Sequence, residues 1–437
     1  TCFSSDILNN AYSVALTRAG EKTRLADAAF QIGDAFVQTD PASAMDYFQR
    51  AFLAGLDAAC VRHIGEIFER WAVPRRPGRR APRSAKPAKV KKVAHVVGCW
   101  RKDHAPARHV DMLARSLRQQ GVESRIFTTE WAASWFSNPI GAVQSEPSDF
   151  ATDAVIASVE GDFSERAHCI AAAIRASRIR IVFYHAGFNE QITARVAALR
   201  PSAIQVNVAH GAEMDPALFD GYIHLTRQGL SSTRHNKVLG EWIPPASDIE
   251  ARLQECPPRM RQAMGLESAT TVSATFGDLR NAAHPSYLRV LSGLLKLFPQ
   301  HFHVFAGSGD VKTVRAYLHA EGVLPRVRFL GAMSDLVSVF SVTDVVLAPF
   351  SSPDESSLTE AMGAGRPPVV FDKSSAELVG VPDLSAHSEA EYALTAQRLL
   401  RDANERKRCS DLVLSRFRSE FAPSLLGRRY LKFLSRI

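Results

Sequence analysis

Cysteine is scarce in this chain, and the cysteines that occur form no pattern. There are six in 437 residues, and no two are spaced as a Cys-x-x-Cys pair. A disulfide framework or a structural zinc site is therefore not expected. The sequence also lacks a run of about eighteen apolar residues, which a membrane-spanning helix needs, and it shows no signal-peptide pattern. These absences predict a cytoplasmic protein without a transmembrane segment.

Acidic residues are missing from one stretch, and this stretch explains the charge of the whole chain. The formal net charge is +8. Residues 74–92 contain nine Lys and Arg and no Asp or Glu, so the other residues sum to 8 − 9 = −1. Because the basic charge is confined to one Pro-rich segment, nucleic-acid binding is not expected. The composition predicts an exposed, semi-stiff linker, with peripheral contact to an anionic membrane surface or polymer as the alternative.

The residues before this linker form a helical pattern. Residues 1–73 place small and aromatic side chains at helical spacing, with a turn at Asp40-Pro41. The pattern resembles one tetratricopeptide unit and is carried by Gly33, Phe36, Ala44, Phe48 and Ala51. A single unit cannot bury both of its faces. We therefore predict a small all-α domain that packs on a neighbour, with peptide binding as the alternative.

After the linker, strand and helix patterns alternate in two successive series. The first covers residues 93–243 and ends with the run 221–225, and the second begins at Pro244-Pro245 and extends to residue 437. In the second series we expect strands over 271–275, 303–306, 327–330, 345–347 and 369–371. Two such series predict an α/β fold class with two Rossmann-like domains. Ligands of such domains bind beyond the carboxyl ends of the strands.

The segment 349–371 has the features of an anion site. A strand-like run precedes a Ser-rich turn, a predicted helix that begins near Ser356, and a second strand. The unpaired N–H groups and positive dipole at a helix N-terminus favour a diphosphate. Glu360, one turn further along, is suited to accept hydrogen bonds from sugar hydroxyls. The alternative is that a serine caps the helix and Glu360 completes the capping interaction.

Other polar residues follow predicted strands, where the active sites of such folds collect. His210 comes directly before Gly211 and is our first candidate for a proton acceptor. Arg280 has a planar guanidinium that suits a diphosphate. Gly307 belongs to a Gly-Ser-Gly sequence that we read as a tight turn. The alternatives are a histidine that hydrogen-bonds a loop and an arginine on the surface.

Four segments, in order, resemble one family of enzymes. They are VVG with Asp103 and His109, RPSAIQVN at 200–207 with FDGYI at 219–223, the donor segment 276–288, and the block 326–370. Together they resemble O-GlcNAc-transferase-like glycosyltransferases and the related bacterial protein N-glucosyltransferases. More generally, residues 93–437 resemble GT-B glycosyltransferases.

The resemblance implies roles for particular residues. Ser356 and Ser357 match a Thr pair that holds the donor diphosphate, and Glu360 matches the acid that binds the ribose. Arg280 falls near the family's diphosphate-binding lysine. His109 falls near an active-site histidine, and His210 lies in the loop that approaches donor and acceptor. The remaining candidates are Asp215 as a catalytic group and, for donor binding, Gly277, Gly307 and Glu355.

The sequence also departs from the family pattern. His109 lies two residues beyond the usual interval from Asp103, the family's GYPGT loop is replaced by AHGAE at 209–213, and the segment from Leu330 to Asp344 is short. The base and sugar of the donor, the acceptor and the proton-accepting residue therefore stay open. So does the choice between an inverting and a retaining mechanism.

The predicted function is sugar transfer from a nucleoside-diphosphate sugar. A UDP-sugar is the favoured donor, and the acceptor is a protein side chain or a glycan. No metal or other cofactor is expected, because no metal-binding Asp-x-Asp motif stands out. The alternatives are a nucleotide-sugar epimerase on the same fold and a catalytically decayed protein that binds a partner through its helical region.

Overall fold

The structure of the chain is a computed structural model. It describes Gln31 and residues 90–98, 100, 105–128, 154–156, 163–185, 191–210, 218–225, 238–255, 260–266, 269, 271–309, 311–331, 333, 336–350 and 355–437. Apart from Gln31, the predicted helical domain 1–73 lies outside the described residues. The predicted linker 74–92 lies outside them as far as residue 89.

The chain divides into two compact units. The first extends as far as Asp111 and also contains Gly121–Ile243 and Leu431–Ile437. The second contains Met112–Gln120 and Pro244–Tyr430. The last residues of the chain thus belong to the first unit. Gly221 allows this arrangement, because a Cβ atom at this position would lie 2.5 Å from the Ile437 side chain and 2.8 Å from that of Phe433.

The first unit is built on a parallel sheet of seven strands. Their order is β3-β2-β1-β4-β5-β6-β7, and each neighbouring pair is parallel. The strands are β1 (Lys92–Val97), β2 (Glu123–Thr128), β3 (Ala154–Ile156), β4 (Ile181–His185), β5 (Ile204–Ala209), β6 (Gly221–His224) and β7 (Leu239–Trp242). The connecting helices are α1 (Ala105–Gln119), α2 (Phe163–Ala176) and α3 (Gln191–Ala198). Of these, α1 belongs to the first unit only as far as Asp111.

Burial on both faces explains why these strands form. In β4 and β6 every side chain is buried, and β1 and β5 each have one residue that is not. Such near-continuous apolar runs are typical of parallel sheets covered by helices. On one face, residues of α2 and α3 pack with Tyr184, Phe219 and Tyr222 in one apolar core.

The second unit is built on a parallel sheet of five strands. Their order is β10-β9-β8-β11-β12. The strands are β8 (Thr271–Asp278), β9 (His301–Ser308), β10 (Val327–Gly331), β11 (Val345–Leu347) and β12 (Pro368–Val369). The helices that precede or connect them are α4 (Ile249–Gln254), α5 (Met260–Ala263), α6 (Pro285–Leu297), α7 (Lys312–Ala320), α8 (Val337–Val342) and α9 (Glu355–Gly363).

Four helices follow the last strand, and three of them begin at residues with caps that the sequence supplies. They are α10 (Lys373–Val379), α11 (Glu389–Arg401), α12 (Ala403–Glu420) and α13 (Pro423–Leu434). Asp372, Ser388 and Asp402 accept hydrogen bonds from first-turn N–H groups of α10, α11 and α12. Gly380 ends α10 in the left-handed conformation that glycine favours.

Two parallel α/β domains confirm the predicted fold class for the described part of the chain. Some details of the prediction were wrong. The strand β7 was missed, and β8 and β9 are longer than expected, so Gly277 and Gly307 lie in strands and not in loops. Among the described helices, none is both long and apolar enough to cross a bilayer.

Candidate functional site

Four histidines come together in the first unit. His95 lies in β1, His109 in α1, His185 at the end of β4 and His210 directly after β5. Because β1, β4 and β5 are parallel neighbours, residues at their carboxyl ends lie at one edge of the sheet. We call these four residues the histidine cluster. It contains both histidines that the sequence indicated as candidates, His109 and His210.

The rings of the histidine cluster are in direct contact. His95 Nδ1 lies 3.0 Å from His185 Nε2, and His185 Nδ1 lies 3.4 Å from His210 Nε2. At the other end, His95 Nε2 lies 3.2 Å from Ser124 Oγ. The His109 ring meets the His210 ring edge-on, with 5.3 Å between centroids. The cluster therefore contains a continuous line of hydrogen-bonding groups.

Burial keeps most of the histidine cluster uncharged at neutral pH. Desolvation lowers the pKa of His109 to about 4, and desolvation together with the nearby His109 lowers the pKa of His95 to about 3. The pKa of His185 is lowered well below its usual value by burial and by the other three rings. A neutral imidazole has one donor and one acceptor nitrogen. His210, unlike the other three rings, is only half-buried.

The RPSAIQV motif, which carried the family resemblance, has a structural role here. The Asp220 carboxylate accepts hydrogen bonds from Arg200 Nη2 at 2.9 and 3.2 Å and from the Gln205 backbone N–H at 2.9 Å. The buried Gln205 amide donates to the carbonyls of Ala197 and Leu218 and accepts from the Tyr184 hydroxyl. These bonds fix β5, and hence the position at which His210 leaves the sheet.

Replacing Arg200 by alanine is therefore expected to destabilise the protein. The Arg200 and Asp220 side chains are only 12% and 17% exposed, so the substitution leaves a carboxylate largely buried without its cation. Loss of one partner of such a pair costs about 3 kcal/mol. Urea unfolding measures this cost. Arg125→Ala removes an exposed guanidinium of the same unit and serves as the control. An equal, small effect of both substitutions would contradict the structural role.

The candidate anion site of the second unit lies at the start of α9. The helix begins at Glu355, one residue before the predicted start, and its first turn contains Ser356 and Ser357. Glu355 and Ser357 are buried, whereas Ser356 is exposed. Ser374 in α10 donates to Glu355 Oε1 at 3.4 Å. The first-turn amides of a helix of this length can hold an anion.

Glu360 lies in the same helix and has a cationic neighbour. Its Oε1 atom is 3.5 Å from Arg252 Nη2 of α4, and its side chain is 17% exposed. Arg252 is itself held by Asp248, with Nε and Oδ1 2.8 Å apart. This contact restrains the orientation of the Glu360 carboxylate, whose oxygens are hydrogen-bond acceptors.

Arg280 is exposed and is held by an acid two residues earlier. Its Nε atom donates to Asp278 Oδ2 at 2.9 Å, and its Nη2 atom donates to the same oxygen at 2.5 Å. This pairing raises the pKa of Arg280 and lowers the pKa of Asp278. With 73% of the arginine side chain exposed, the pair adds little to stability. An incoming anion can therefore replace the carboxylate at low cost.

Gly277 and Gly307 are required by the approach of two strands. They are register partners in β8 and β9, and a Cβ atom on Gly307 would lie 1.8 Å from the Gly277 carbonyl oxygen. Gly277 also has φ near +99°, which favours glycine. The backbone geometry accounts for both glycines without a ligand. Their predicted contact with the donor stays a prediction.

The sequence indicated only part of this site. His95 was missed, and His185 was noticed only as part of a polar cluster after a strand, because their contact joins residues 90 positions apart in the chain. The predicted catalytic residue Asp215 lies outside the described residues. Within the described ranges, no group of three or more His, Cys, Asp or Glu side chains is placed to hold a metal ion.

Comparisons with known proteins agree with this architecture. Residues 273–402 match the model of the family described as glycosyl transferases group 1. No curated protein sequence matches the chain. A mutant of Thermobaculum terrenum O-GlcNAc transferase has a similar structure, with a TM-score of 0.58 and 16% identity over 99% of this chain and 86% of that one.

Two further solved structures show the same fold. Anabaena HepE, in complex with UDP and glucose, has a TM-score of 0.58 and 15% identity over 79% of this chain and 100% of that one. WaaG, a glycosyltransferase involved in lipopolysaccharide biosynthesis, has a TM-score of 0.51 and 14% identity over 77% and 98%. The family match and the shared fold confirm the predicted resemblance to GT-B glycosyltransferases, as a distant relative.

Proposed function

We propose that this distant relative of GT-B glycosyltransferases transfers a sugar from a nucleoside-diphosphate sugar to an acceptor. One observation carries the proposal. The segment that matches the group 1 glycosyl transferases, 273–402, contains β8 from its third residue onward, Arg280 and the whole of α9. Arg280 and the start of α9 both follow the carboxyl ends of strands in one parallel sheet, where ligands of such sheets bind.

The donor is proposed to bind the second unit through its diphosphate and ribose. The first-turn amides of α9, next to Ser356 and Ser357, hold the diphosphate, and Glu360 accepts hydrogen bonds from the ribose hydroxyls. Arg280 exchanges Asp278 for the diphosphate. UDP is the favoured nucleotide, and Anabaena HepE, which has the same fold, is bound to UDP and glucose.

The negative charge of the leaving group is proposed to be stabilised without a metal ion. As the bond between the sugar and the diphosphate breaks, charge accumulates on the diphosphate oxygens. The Arg280 guanidinium and the N-terminus of α9 lie on the described part of the second unit and both favour such charge. In the first unit, the histidine cluster supplies the proton acceptor, with His210 as the base and His109 beside it.

The acceptor is proposed to be a hydroxyl or amide group carried by a protein or a glycan. An imidazole such as that of His210 is suited to take a proton from either group. The likeness to an O-GlcNAc transferase extends over 99% of this chain and supports a protein acceptor. The likeness to WaaG, which is involved in lipopolysaccharide biosynthesis, supports a glycan acceptor.

The role of Arg280 can be tested against a matched arginine. Arg280→Ala should weaken binding of UDP, or of whichever nucleoside diphosphate binds best, about tenfold to a hundredfold, because a charge-assisted hydrogen bond to an anion is worth roughly 1.5–3 kcal/mol. Arg289 is also exposed and is paired with Glu389 at 3.1 Å. Arg289→Ala should leave the affinity unchanged. Isothermal titration calorimetry measures both, and equal affinities in the two variants would contradict the proposed clamp.

A further inference from the structure

A line of four side chains begins at His210 and passes through the buried part of the first unit. In order they are His210, His185, His95 and Ser124, joined by contacts of 3.4, 3.0 and 3.2 Å. His185 and His95 are fully buried, and Ser124 is half-buried near the start of β2. The line thus begins at the carboxyl edge of the first sheet and ends two residues into a neighbouring strand. We call it the histidine line.

The chemistry of imidazole couples the tautomers of these rings. A neutral ring has one N–H and one bare nitrogen, and both nitrogens of His185 and of His95 are used within the line. If His210 donates from Nε2, then His185 donates from Nε2 to His95, and His95 donates from Nε2 to Ser124. If the direction is reversed, each ring has its proton on Nδ1. Only these two arrangements satisfy all three contacts of the line.

We propose that His185 and His95 are positioning residues that hold His210 as the Nε2–H tautomer. Since His210 Nε2 is engaged with His185, a His210 base has to accept its proton at Nδ1, and only the first arrangement keeps that nitrogen bare. This inference rests on the proposed function, because it takes His210 to be the group that accepts the proton. Buried hydrogen-bonded lines of this kind are rigid when every member is satisfied. The two inner rings therefore act through His210 and do not touch the substrate.

The proposed reaction moves a proton to His210 and a sugar to the acceptor. The acceptor O–H or N–H gives its proton to His210 Nδ1, and the acceptor atom forms a bond to the anomeric carbon of the sugar. The bond between that carbon and the diphosphate oxygen breaks, and the nucleoside diphosphate leaves with the electron pair. His210 becomes an imidazolium whose Nε2–H still donates to His185. Such a hydrogen bond stabilises the charged form of the base.

Nuclear magnetic resonance can test the tautomer directly. The full chain is labelled with ¹⁵N-histidine, and long-range ¹H–¹⁵N correlations at pH 7.5 report which nitrogen of each ring carries the proton. In the wild type we expect His210 to be protonated on Nε2. His185→Leu should give a mixture of both His210 tautomers. The rings of His301 and His303, in the other unit, should stay unchanged and serve as internal references.

A conservative variant separates positioning from general damage to the fold. In His185→Asn the amide oxygen takes approximately the place of Nδ1 and can still accept from His210. This variant should therefore restore the Nε2–H tautomer that His185→Leu loses. A His210 ring protonated on Nδ1 in the wild type would overturn the proposal. So would a His210 tautomer that is identical in the wild type and in His185→Leu.

Kinetics supply the second readout. His185→Leu should lower kcat about a hundredfold, within the range that general base catalysis contributes, and leave nucleotide affinity unchanged. His185→Asn should recover most of that loss. A recovered tautomer without recovered kcat would overturn the positioning role. The two proposals can fail separately. If the tautomers behave as expected but the wild type turns over no nucleotide-sugar, the proposed reaction is wrong and the tautomer assigned to His210 is still correct.

Discussion

Substitution of His210 by alanine should lower turnover about a thousandfold, because general base catalysis contributes roughly 10²–10⁴ in rate. The ring lies at the carboxyl edge of the first sheet, is half-buried, and contacts His185 through Nε2. The proposed donor-binding residues are in the other unit, so nucleotide affinity should stay within a factor of about two. The measurement is the release of nucleoside diphosphate in the presence of an acceptor.

The control for this experiment is a histidine of the same unit outside the histidine cluster. His168 lies in α2 and is exposed. His168→Ala should have wild-type turnover. If His210→Ala retains wild-type turnover, the base lies elsewhere, and Asp215 becomes the next residue to replace. If it loses nucleotide affinity as well as turnover, His210 contributes to binding of the donor.

A fall in pH should destabilise this protein even in the range where carboxylates are still ionised. In the first unit, burial lowers the pKa of His95, His109 and His185. In the second unit, it lowers the pKa of His301 to about 4 and that of His303 well below its usual value. These five rings are neutral in the folded protein, whereas an unfolded histidine has a pKa of about 6.5.

The direction of the effect follows from proton linkage. Below pH 6.5 the unfolded chain binds more protons than the folded chain, so stability is present above pH 6.5 and is lost as the pH falls. The loss of stability continues until the pH reaches the pKa values in the folded protein, which are about 4 for His109 and about 3 for His95. Each buried histidine should cost about 1.4 kcal/mol per pH unit below 6.5. Three such residues in one unit would remove about 4 kcal/mol by pH 5.5, a large part of a typical stability of roughly 5–15 kcal/mol.

Urea unfolding at a series of pH values from 8 to 5 tests this expectation. The free energy of unfolding should fall steeply below pH 6.5. His301→Gln should reduce the slope of this free energy against pH by about 1.4 kcal/mol per pH unit, which is the contribution of one proton. The glutamine amide can still hydrogen-bond Thr271 and Ser273 but does not titrate. His319→Gln, at an exposed position, should leave the slope unchanged. A stability that is constant from pH 8 to 5 would show that the buried rings are not neutral.

The polar groups around His301 and His303 are buried, although the sequence pattern of β8 would indicate that they are exposed. Thr271, Ser273 and Thr275 alternate along β8 and share one face with the two histidines of β9. Each histidine bonds two of these hydroxyls, and Thr275 also donates to the Leu347 carbonyl. This ladder fixes the register of β8 against β9. Alternating polar residues would usually indicate a strand with one solvated face, yet this strand is buried on both.

Most of the fold could be predicted because parallel strands covered by helices have apolar sequences. The runs in β1, β4 and β5 stand out for this reason. The strand β7 did not, because LGEW is half-buried and contains a glycine and an acid. The ends of β8 and β9 were missed for a related reason. Glycine normally indicates a turn, but Gly277 and Gly307 allow close backbone approach within the sheet.

The candidate site was less predictable, because its contacts join distant parts of the chain. His210 and His109 were found from their positions near the ends of predicted strands and from the family resemblance. His95 lies inside an apolar run, and a single histidine there carries no sequence signal for a partner 90 residues away. Likewise, the pairing of Glu360 with Arg252 depends on the packing of α4 on α9, which no local pattern encodes.

Thermal unfolding tests most directly whether this chain binds a nucleoside diphosphate. The melting temperature is measured with UDP, GDP, dTDP, ADP and CMP, each with and without Mg²⁺. One nucleoside diphosphate, with UDP favoured, should raise the melting temperature by several degrees in the absence of Mg²⁺. A ligand present at a hundred times its Kd adds about 2.7 kcal/mol to the free energy of unfolding. An unchanged melting temperature with all five nucleotides would contradict the claim and leave a partner-binding protein on a glycosyltransferase fold.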